Sequence, residues 1–154
     1  MASRRHFLIT SSLAAVAVPT LLARPAFAMK KGVFTSWGVA IRGIDPVAYF
    51  TENRPVEGSK DFTAIHDGEE FRFASAENLA KFKSNPEKYA PQYGGYCAWA
   101  VSLGYTASTV PEAFSIVDGK LYLNYSLGVR SQWEADKTNR IIQGDKNWPG
   151  VLDK

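Results

Sequence analysis

Two stretches of the chain repeat one pattern of turn and cap residues, and this repeat limits the possible folds more than any other feature. In residues 61–74, apolar and polar side chains alternate on both sides of Asp67-Gly68, a dipeptide typical of a tight β-hairpin turn. Ser75 follows and precedes an amphipathic segment that includes Phe82, which predicts a helix with a serine cap. The first unit is therefore a hairpin followed by a helix.

The same pattern returns 51 residues later in the chain. Asp118-Gly119 lies between two further apolar-rich stretches, and Ser126 precedes a predicted helix that runs through Trp133 to Ile142. Two copies do not indicate a solenoid, which needs more repeats to bury a continuous core. The sequence predicts an α+β fold in which two antiparallel hairpin-plus-helix units, a pseudo-repeat, share one core.

A short helix is predicted in front of each unit. Asp45 and Pro46 are a typical N-cap and first helical residue. The segment 96–103 has helical composition, begins after Gly94-Gly95 and ends before another glycine. Both short helices are expected to pack against the hairpins.

The first 28 residues have the composition of an export signal. Arg4 and Arg5 are followed by an apolar run to about Leu22 and then by residues 26–28, a small-x-small cleavage pattern. The paired arginines resemble a twin-arginine signal, which implies the twin-arginine export machinery as a partner and passage of a folded protein across the inner membrane. We expect a soluble periplasmic protein whose mature chain starts at about Met29, without stable membrane insertion after cleavage.

Removal of this segment changes the charge of the chain. The full chain has 18 basic and 15 acidic residues, and three arginines but no acidic residues lie in the signal. Residues 29–154 therefore carry no formal net charge, which gives no support to nucleic-acid binding. This part is long enough for a single domain with its own core, and its one cysteine excludes an internal disulfide.

Several motifs, in the right order, resemble the YHS domain family. They are Asp-Pro-Val at residues 45–47, the predicted hairpin end and helix start in residues 71–78, and the segment 85–89. The core of the resemblance covers residues 43–92. Residues 93–149 resemble the C-terminal extension of exported, single-domain members of that family.

The resemblance implies a metal-related role, because many YHS domains are metal-associated. That family usually has cysteines where this chain has Ala48, Ala74 and Asn78. Alanine has no lone pair to donate, and an amide is a poor ligand for a soft metal. The usual metal site is therefore expected to be absent, and copper or another soft metal would need a new site, for which Cys97 and His66 are the candidate ligands.

The segment around the single cysteine is the predicted ligand site. Gly94 and Gly95 allow a ligand to approach the backbone closely, or form a tight connection between the two units. Tyr96, Cys97 and Trp99 follow them, and aromatic side chains at the junction of the two units could form the walls of a small pocket.

Three functions are compatible with these residues. The first, which we favour, is a non-enzymatic accessory or binding module for a small ligand or a metal-related role, with no assigned activity. The second is a thiol-dependent redox protein or enzyme that uses Cys97, because the start of a helix can lower a thiol pKa. The third is a plain protein-interaction domain with no pocket. For Cys97 itself, the favoured role is packing as a small, buried apolar side chain. The exposure of Cys97 distinguishes between these functions.

Overall fold

The computed structural model describes residues 29–154, and the predicted export signal lies outside them. The strands are β1 Thr35–Ser36, β2 Val39–Ala40, β3 Ser59–His66, β4 Glu69–Phe73, β5 Phe114–Val117 and β6 Lys120–Leu123. The α-helices are α1 Ala48–Thr51, α2 Ala76–Ser84, α3 Pro86–Tyr89, α4 Ala98–Ser102, α5 Leu127–Ala135 and α6 Lys137–Asn147. Short 3-10 turns span Ile41–Gly43, Gln92–Gly95 and Gly150–Asp153.

The fold is α+β, as predicted. Consecutive strands pair into antiparallel two-stranded sheets, β1 with β2, β3 with β4 and β5 with β6. Helices follow the second and third of these hairpins. Within residues 29–154, no helix combines the length and the apolar character that crossing a bilayer would need.

The two predicted hairpin-plus-helix units are both present. Asp67 and Asp118 have φ values of 48° and 50°, and a glycine with positive φ follows each, which is the conformation of a tight hairpin turn. The side chains of Ser75 and Ser126 each accept a hydrogen bond from the backbone N–H three residues later, at 3.1 and 3.2 Å. The second unit therefore repeats the first in both its turn and its helix cap.

The helix of the second unit is shorter than predicted. The sequence predicts one helix from Ser126 to Ile142, whereas the chain leaves the helical conformation at Asp136, between α5 and α6 (φ −136°, ψ 33°). Aspartate is unfavourable inside a helix and favourable at its ends, because its side chain bonds to nearby polar groups. Here the carboxylate accepts a hydrogen bond from Asn139 at 2.7 Å. The first unit has the same break 51 residues earlier, at Asn85 between α2 and α3.

Strand β6 lies between two clusters of buried side chains. Leu121 and Leu123 belong to a cluster with Phe82, whereas Tyr122 belongs to a second cluster with Trp133. Side chains alternate between the two faces of a strand, so both faces of β6 are covered. Burial of each such side chain contributes about 1.5–3 kcal/mol. The core that the units share thus has two parts, and they meet at β6.

Asp45 is fully buried and holds the first unit together. Its Oδ1 accepts hydrogen bonds from the backbone N–H groups of Val47 at 2.8 Å and Ala48 at 3.4 Å, which confirms the predicted capping role. Its Oδ2 accepts from the backbone N–H of Ala74 at 2.8 Å and from the side-chain amide of Asn78 at 2.7 Å. The three positions where YHS domains usually have cysteines thus surround one carboxylate.

Replacement of Asp45 by asparagine should destabilise the fold strongly. The substitution replaces one acceptor oxygen by an N–H donor that faces other donors. Hydrogen bonds to charged groups contribute about 1.5–3 kcal/mol each, so we expect Asp45→Asn to lower the free energy of unfolding by about 3 kcal/mol. Urea unfolding followed by tryptophan fluorescence measures this change.

Asp61→Asn is the matched control, because Asp61 is exposed and its carboxylate makes no hydrogen bond or ion pair within residues 29–154. We expect it to change stability by less than about 0.5 kcal/mol. Equal stabilities of the two variants would contradict the role given to Asp45.

Candidate functional site

A cleft of about 280 Å³ lies where the two units meet. Its walls come from the segment before β1, the β3–β4 turn, α3, the 3-10 turn after α3 and the end of α6. We call it the junction cavity, and its chemically distinctive residues are His66, Asp67, Glu87, Tyr93, Asp145 and Trp148. Its volume is close to the lower end of the range for small-ligand sites, which is about 300–1,000 Å³.

Tyr93 is held rigidly in the wall of this cavity. Its backbone has φ 55° and ψ 35°, a left-handed conformation that costs about 1–2 kcal/mol for a residue other than glycine. Its hydroxyl donates to a carboxylate oxygen of Asp145 at 2.8 Å and lies 3.3 Å from the carbonyl of Ile141. Burial, and then the Asp145 carboxylate, raise the pKa of Tyr93. The phenol is therefore a fixed, neutral donor that orients Asp145.

Gly144 makes this placement of Tyr93 possible. A Cβ at position 144 would lie 2.5 Å from the Tyr93 hydroxyl oxygen and 2.7 Å from its Cζ. The glycine lies within α6, where it is unfavourable for helix stability by about 0.5–1 kcal/mol relative to alanine. The close approach of the aromatic ring explains why a glycine occupies this helical position.

Three carboxylates border the junction cavity. Asp67, Glu87 and Asp145 are exposed residues and lie at its rim. The Nε2 of His66 lies 3.5 Å from the Asp67 carboxylate. Among the residues that the structure describes, no lysine or arginine lines the cavity. The rim is therefore electrostatically suited to a positively charged group.

Three aromatic residues, Phe71, Tyr93 and Trp148, contribute to the lining. Phe71 and Tyr93 are buried, and the ring of Trp148 lies 6.0 Å from that of Tyr93. The imidazole of His66 is fixed edge-on against Phe71 at 5.9 Å and Phe82 at 5.5 Å. The cavity therefore combines an acidic rim with a few aromatic side chains, and its exposed lining is more polar than apolar.

The two predicted glycines serve the chain itself. Gly94 lines the junction cavity, but a Cβ there would collide with the carbonyl oxygen of Gly32, and its own carbonyl accepts from the N–H of Phe34 at 2.9 Å. A Cβ on Gly95 would meet the side chain of Ile41. Both glycines allow close approach, as predicted, but what approaches them is another part of the protein.

Tyr96 and Trp99 lie outside the junction cavity. The Tyr96 hydroxyl donates to the carbonyl of Lys31 at 2.9 Å, and its ring packs 6.2 Å from that of Trp148. The Arg140 guanidinium lies over the Trp99 ring at 4.0 Å. Tyr96 thus packs beside the junction cavity, against the Trp148 ring of its lining. Trp99 instead lines a second cavity.

This second cavity has a volume of about 250 Å³ and a largely apolar lining. Cys97, Trp99, Tyr105, Tyr125 and Val129 contribute most of its walls. Cys97 lies at its inner side and is only 1% exposed.

The two predicted metal ligands are therefore not brought together. Cys97 lines the second cavity, whereas His66 lines the junction cavity. Within residues 29–154, no group of three or more histidine, cysteine, aspartate and glutamate side chains is placed to hold a metal ion.

The environment of Cys97 favours the neutral thiol. Its Sγ accepts a hydrogen bond from the backbone N–H of Tyr125 at 3.3 Å, and its S–H points to the Oδ1 of Asn124 at 3.6 Å. Burial raises the pKa of Cys97, and the nearby N–H groups of Ala100, Tyr125 and Trp99 offset this only in part. The helix start is thus in the predicted place, but its effect on the pKa is smaller than that of burial.

Cys97 occupies the place in the second unit that Asp45 occupies in the first. Asp45 accepts from the N–H groups two and three residues later and from that of Ala74. The Cys97 sulfur has the N–H groups two and three residues later beside it and accepts from that of Tyr125, which lies 51 residues after Ala74. The single thiol is therefore a buried acceptor at the start of α4, where the side chain that accepts a helix N–H is that of Asn124, from Trp99 at 3.1 Å.

Five of the six distinctive residues of the junction cavity were not among the predicted site residues: Asp67, Glu87, Tyr93, Asp145 and Trp148. Glu87, Asp145 and Trp148 reach the cavity through the packing of α3 and α6, which the sequence pattern alone does not show. One local signal was available: Gly144, inside a helical pattern, indicates close approach of another group.

Comparisons of the chain with models of protein families, with curated proteins and with solved structures found no match. The resemblance to YHS domains therefore stays a prediction. Function is inferred from the cavities and the residues that line them.

We expect Cys97 to resist labelling in the folded protein, because it is buried and because its raised pKa leaves little thiolate. With a disulfide reagent at pH about 8, the folded protein should react at least ~100-fold more slowly than the urea-unfolded protein. Absorbance of the released thiolate measures the rate.

Leu103→Cys supplies the control, because Leu103 is 51% exposed and its replacement would add one accessible thiol. That variant should release one equivalent of thiolate quickly. Fast reaction of the unsubstituted protein would show instead that Cys97 is accessible and reactive.

Proposed function

We propose that the protein is a binding module for a small organic cation, which it holds in the junction cavity. The supporting observation is the combination of three rim carboxylates with aromatic side chains and no basic side chain in the lining. Protonated amines and quaternary ammonium groups favour this environment, because they interact with both carboxylates and the faces of aromatic rings.

The strength of such binding can be bounded. Each exposed carboxylate contributes up to about 1 kcal/mol. A cation against an aromatic face contributes about 0.5–2 kcal/mol. Tyr93 adds to this indirectly, because its hydrogen bond keeps the Asp145 carboxylate oriented before the ligand arrives. Together these contributions amount to at most about 5 kcal/mol, which supports dissociation constants no tighter than about 0.2 mM.

An organic cation suits the cavity better than a metal ion does. Soft metals select thiolate and imidazole ligands, and His66 is the one such side chain that lines the cavity. Hard cations need several converging oxygen ligands, and within residues 29–154 the carboxylates do not form such a group. A metal-related role, which the YHS resemblance implies, would need additional ligands.

The state of the potentially reactive side chains favours a binding function over a catalytic one. The pKa values of Cys97 and Tyr93 are both raised, mainly by burial, so neither side chain is an activated nucleophile or base. The twin-arginine-type signal supports a periplasmic location for the module, and the motifs at residues 45–47 and 71–78 support a YHS-like accessory protein. We propose an exported, non-enzymatic binding protein.

Three aromatic ligands of matched shape test the charge preference. Phenethylamine is a cation at neutral pH, 2-phenylethanol is neutral and phenylacetate is an anion. Calorimetric titration of the protein should show phenethylamine binding at least ~10-fold more tightly than the other two, since charge complementarity sets the preference. Equal affinity for all three ligands, or no phenethylamine binding up to about 5 mM, would contradict the proposal.

Glu87→Gln tests whether binding occurs in the junction cavity. This change removes one rim charge and keeps the side-chain shape, so we expect phenethylamine affinity to fall about three- to fivefold. Glu112→Gln is the matched control, because Glu112 is also exposed but does not line the cavity. If both variants lose affinity equally, binding reflects overall charge rather than this site.

A further inference from the structure

A groove of about 470 Å³ runs along the outer edge of β5. All four residues of β5 line it, together with Asn53 and with Arg130, Glu134 and Lys137 from α5 and α6. We call it the β5 groove. It shares no lining residue with the junction cavity, so it is independent of the proposed function.

The backbone of β5 offers unpaired polar groups to this groove. In an antiparallel pair, alternate residues bond to the partner strand. The carbonyl of Ala113 accepts from the N–H of Asn124, next to the β5–β6 pairing, and Val117 flanks the hairpin turn. The N–H and C=O groups of Phe114 and Ile116 therefore point away from β6. Within residues 29–154 they make no other backbone hydrogen bond.

β5 is the open side of its hairpin. On the other side, β6 is bridged by Cys97, which pairs in parallel with Leu123. A further strand can therefore add to this sheet only along β5.

The first unit has an equivalent groove, but the strand along that groove is less suited to pairing with an added strand. That groove lies along β3 and is lined by Thr63, Ile65 and Lys83, each 51 residues before a residue of the β5 groove. The pairing of β3 is regular from Thr63 to His66 but irregular between Ser59 and Thr63, at one end of this groove, and irregular edges hinder the addition of a strand. The pairing of β5 is regular along its whole length.

The charges of the β5 groove indicate what it binds. The Glu134 carboxylate already accepts from Ser115 at 2.7 Å and from Arg130 at 3.0 Å. Lys137 has no ion-pair partner within residues 29–154, and Arg130 lies over the ring of Phe114, beside the open edge. The groove thus keeps an excess of positive charge along a strand that lacks a neighbour.

We propose that the β5 groove binds an extended peptide segment of a partner protein, which adds to the sheet as a strand and carries an acidic side chain. Backbone hydrogen bonds to Phe114 and Ile116 would hold the peptide, and the groove charges would select its side chains. A second copy of this chain suits the groove less well, because symmetric pairing of two β5 strands would bring two basic grooves together.

Fluorescein-labelled heptapeptides test this proposal. One set alternates threonine and valine, with a glutamate moved through each position, and a matched set has lysine instead. By fluorescence anisotropy, the best glutamate peptide should bind at least ~10-fold more tightly than its lysine counterpart. N-methylation of alternate residues, in the pattern that removes the N–H groups facing β5, should weaken it at least ~10-fold, because backbone bonds give most of the affinity.

Ile116→Asp places a negative charge on the open edge and should weaken the glutamate peptide at least ~10-fold by repulsion. Ile65→Asp is the matched control at the equivalent position of β3, and it should leave binding unchanged. Both side chains are exposed, at 37% and 72%, so both variants should fold.

Three results would overturn the proposal. The first is that no glutamate peptide binds below about 1 mM. The second is that binding is insensitive to N-methylation or to Ile116→Asp. The third is that the protein sediments as a dimer which Ile116→Asp dissociates, because the occupant would then be a second copy. Phenethylamine affinity should not respond to Ile116→Asp, which keeps this test separate from that of the junction cavity.

Discussion

The packing of β6 between two buried clusters is the interaction on which the rest of the structure depends. Leu121 and Leu123 face the cluster of the first unit, while Tyr122 faces the opposite way and stacks within 5.0 Å of Trp133. Side chains on both faces of β6 are buried, so each face must pack against other parts of the protein. The first unit must therefore close over one face, and α5 and α6 must close over the other. The junction cavity lies where these two layers come together, beside the turn that carries Tyr93.

Each unit is tied to its short helix by one buried acceptor, and the two acceptors differ in chemistry. In the first unit the acceptor is the Asp45 carboxylate, with four N–H partners. In the second unit it is the Cys97 sulfur, which accepts one hydrogen bond, from the N–H of Tyr125 at 3.3 Å, while Asn124 accepts from the N–H of Trp99 and from the Cys97 S–H. A thiol desolvates at much lower cost than a carboxylate, so it needs fewer donors. The single cysteine is thus explained by its burial and its hydrogen bonds.

Local signals in the sequence predicted the local structure, and long-range packing explains what they did not predict. The hairpin turns and the serine caps depend on residues within a few positions of one another, so the sequence shows them. The sequence also contained a signal for the break at Asp136, because Asn85, which ends α2, stands 51 residues before it. The apolar pattern alone suggested a continuous helix. The burial of Cys97 was predicted, whereas its correspondence to Asp45 was hidden by a shift of one residue in the repeat. Asp145 and Trp148 join the junction cavity only because α6 packs against Tyr93, and no pattern near them indicates that contact.

Comparison of the two units separates what the fold needs from what it does not. Residues that serve stability recur at the same offset, as the turn aspartates and the serine caps do. His66 and Glu87 do not recur: the positions 51 residues later are Val117, which packs against the second cluster, and Thr138, which is exposed. The fold thus forms without an imidazole or a carboxylate at these places in the second unit. Their presence in the first unit, in the lining of the junction cavity, supports the proposed binding function.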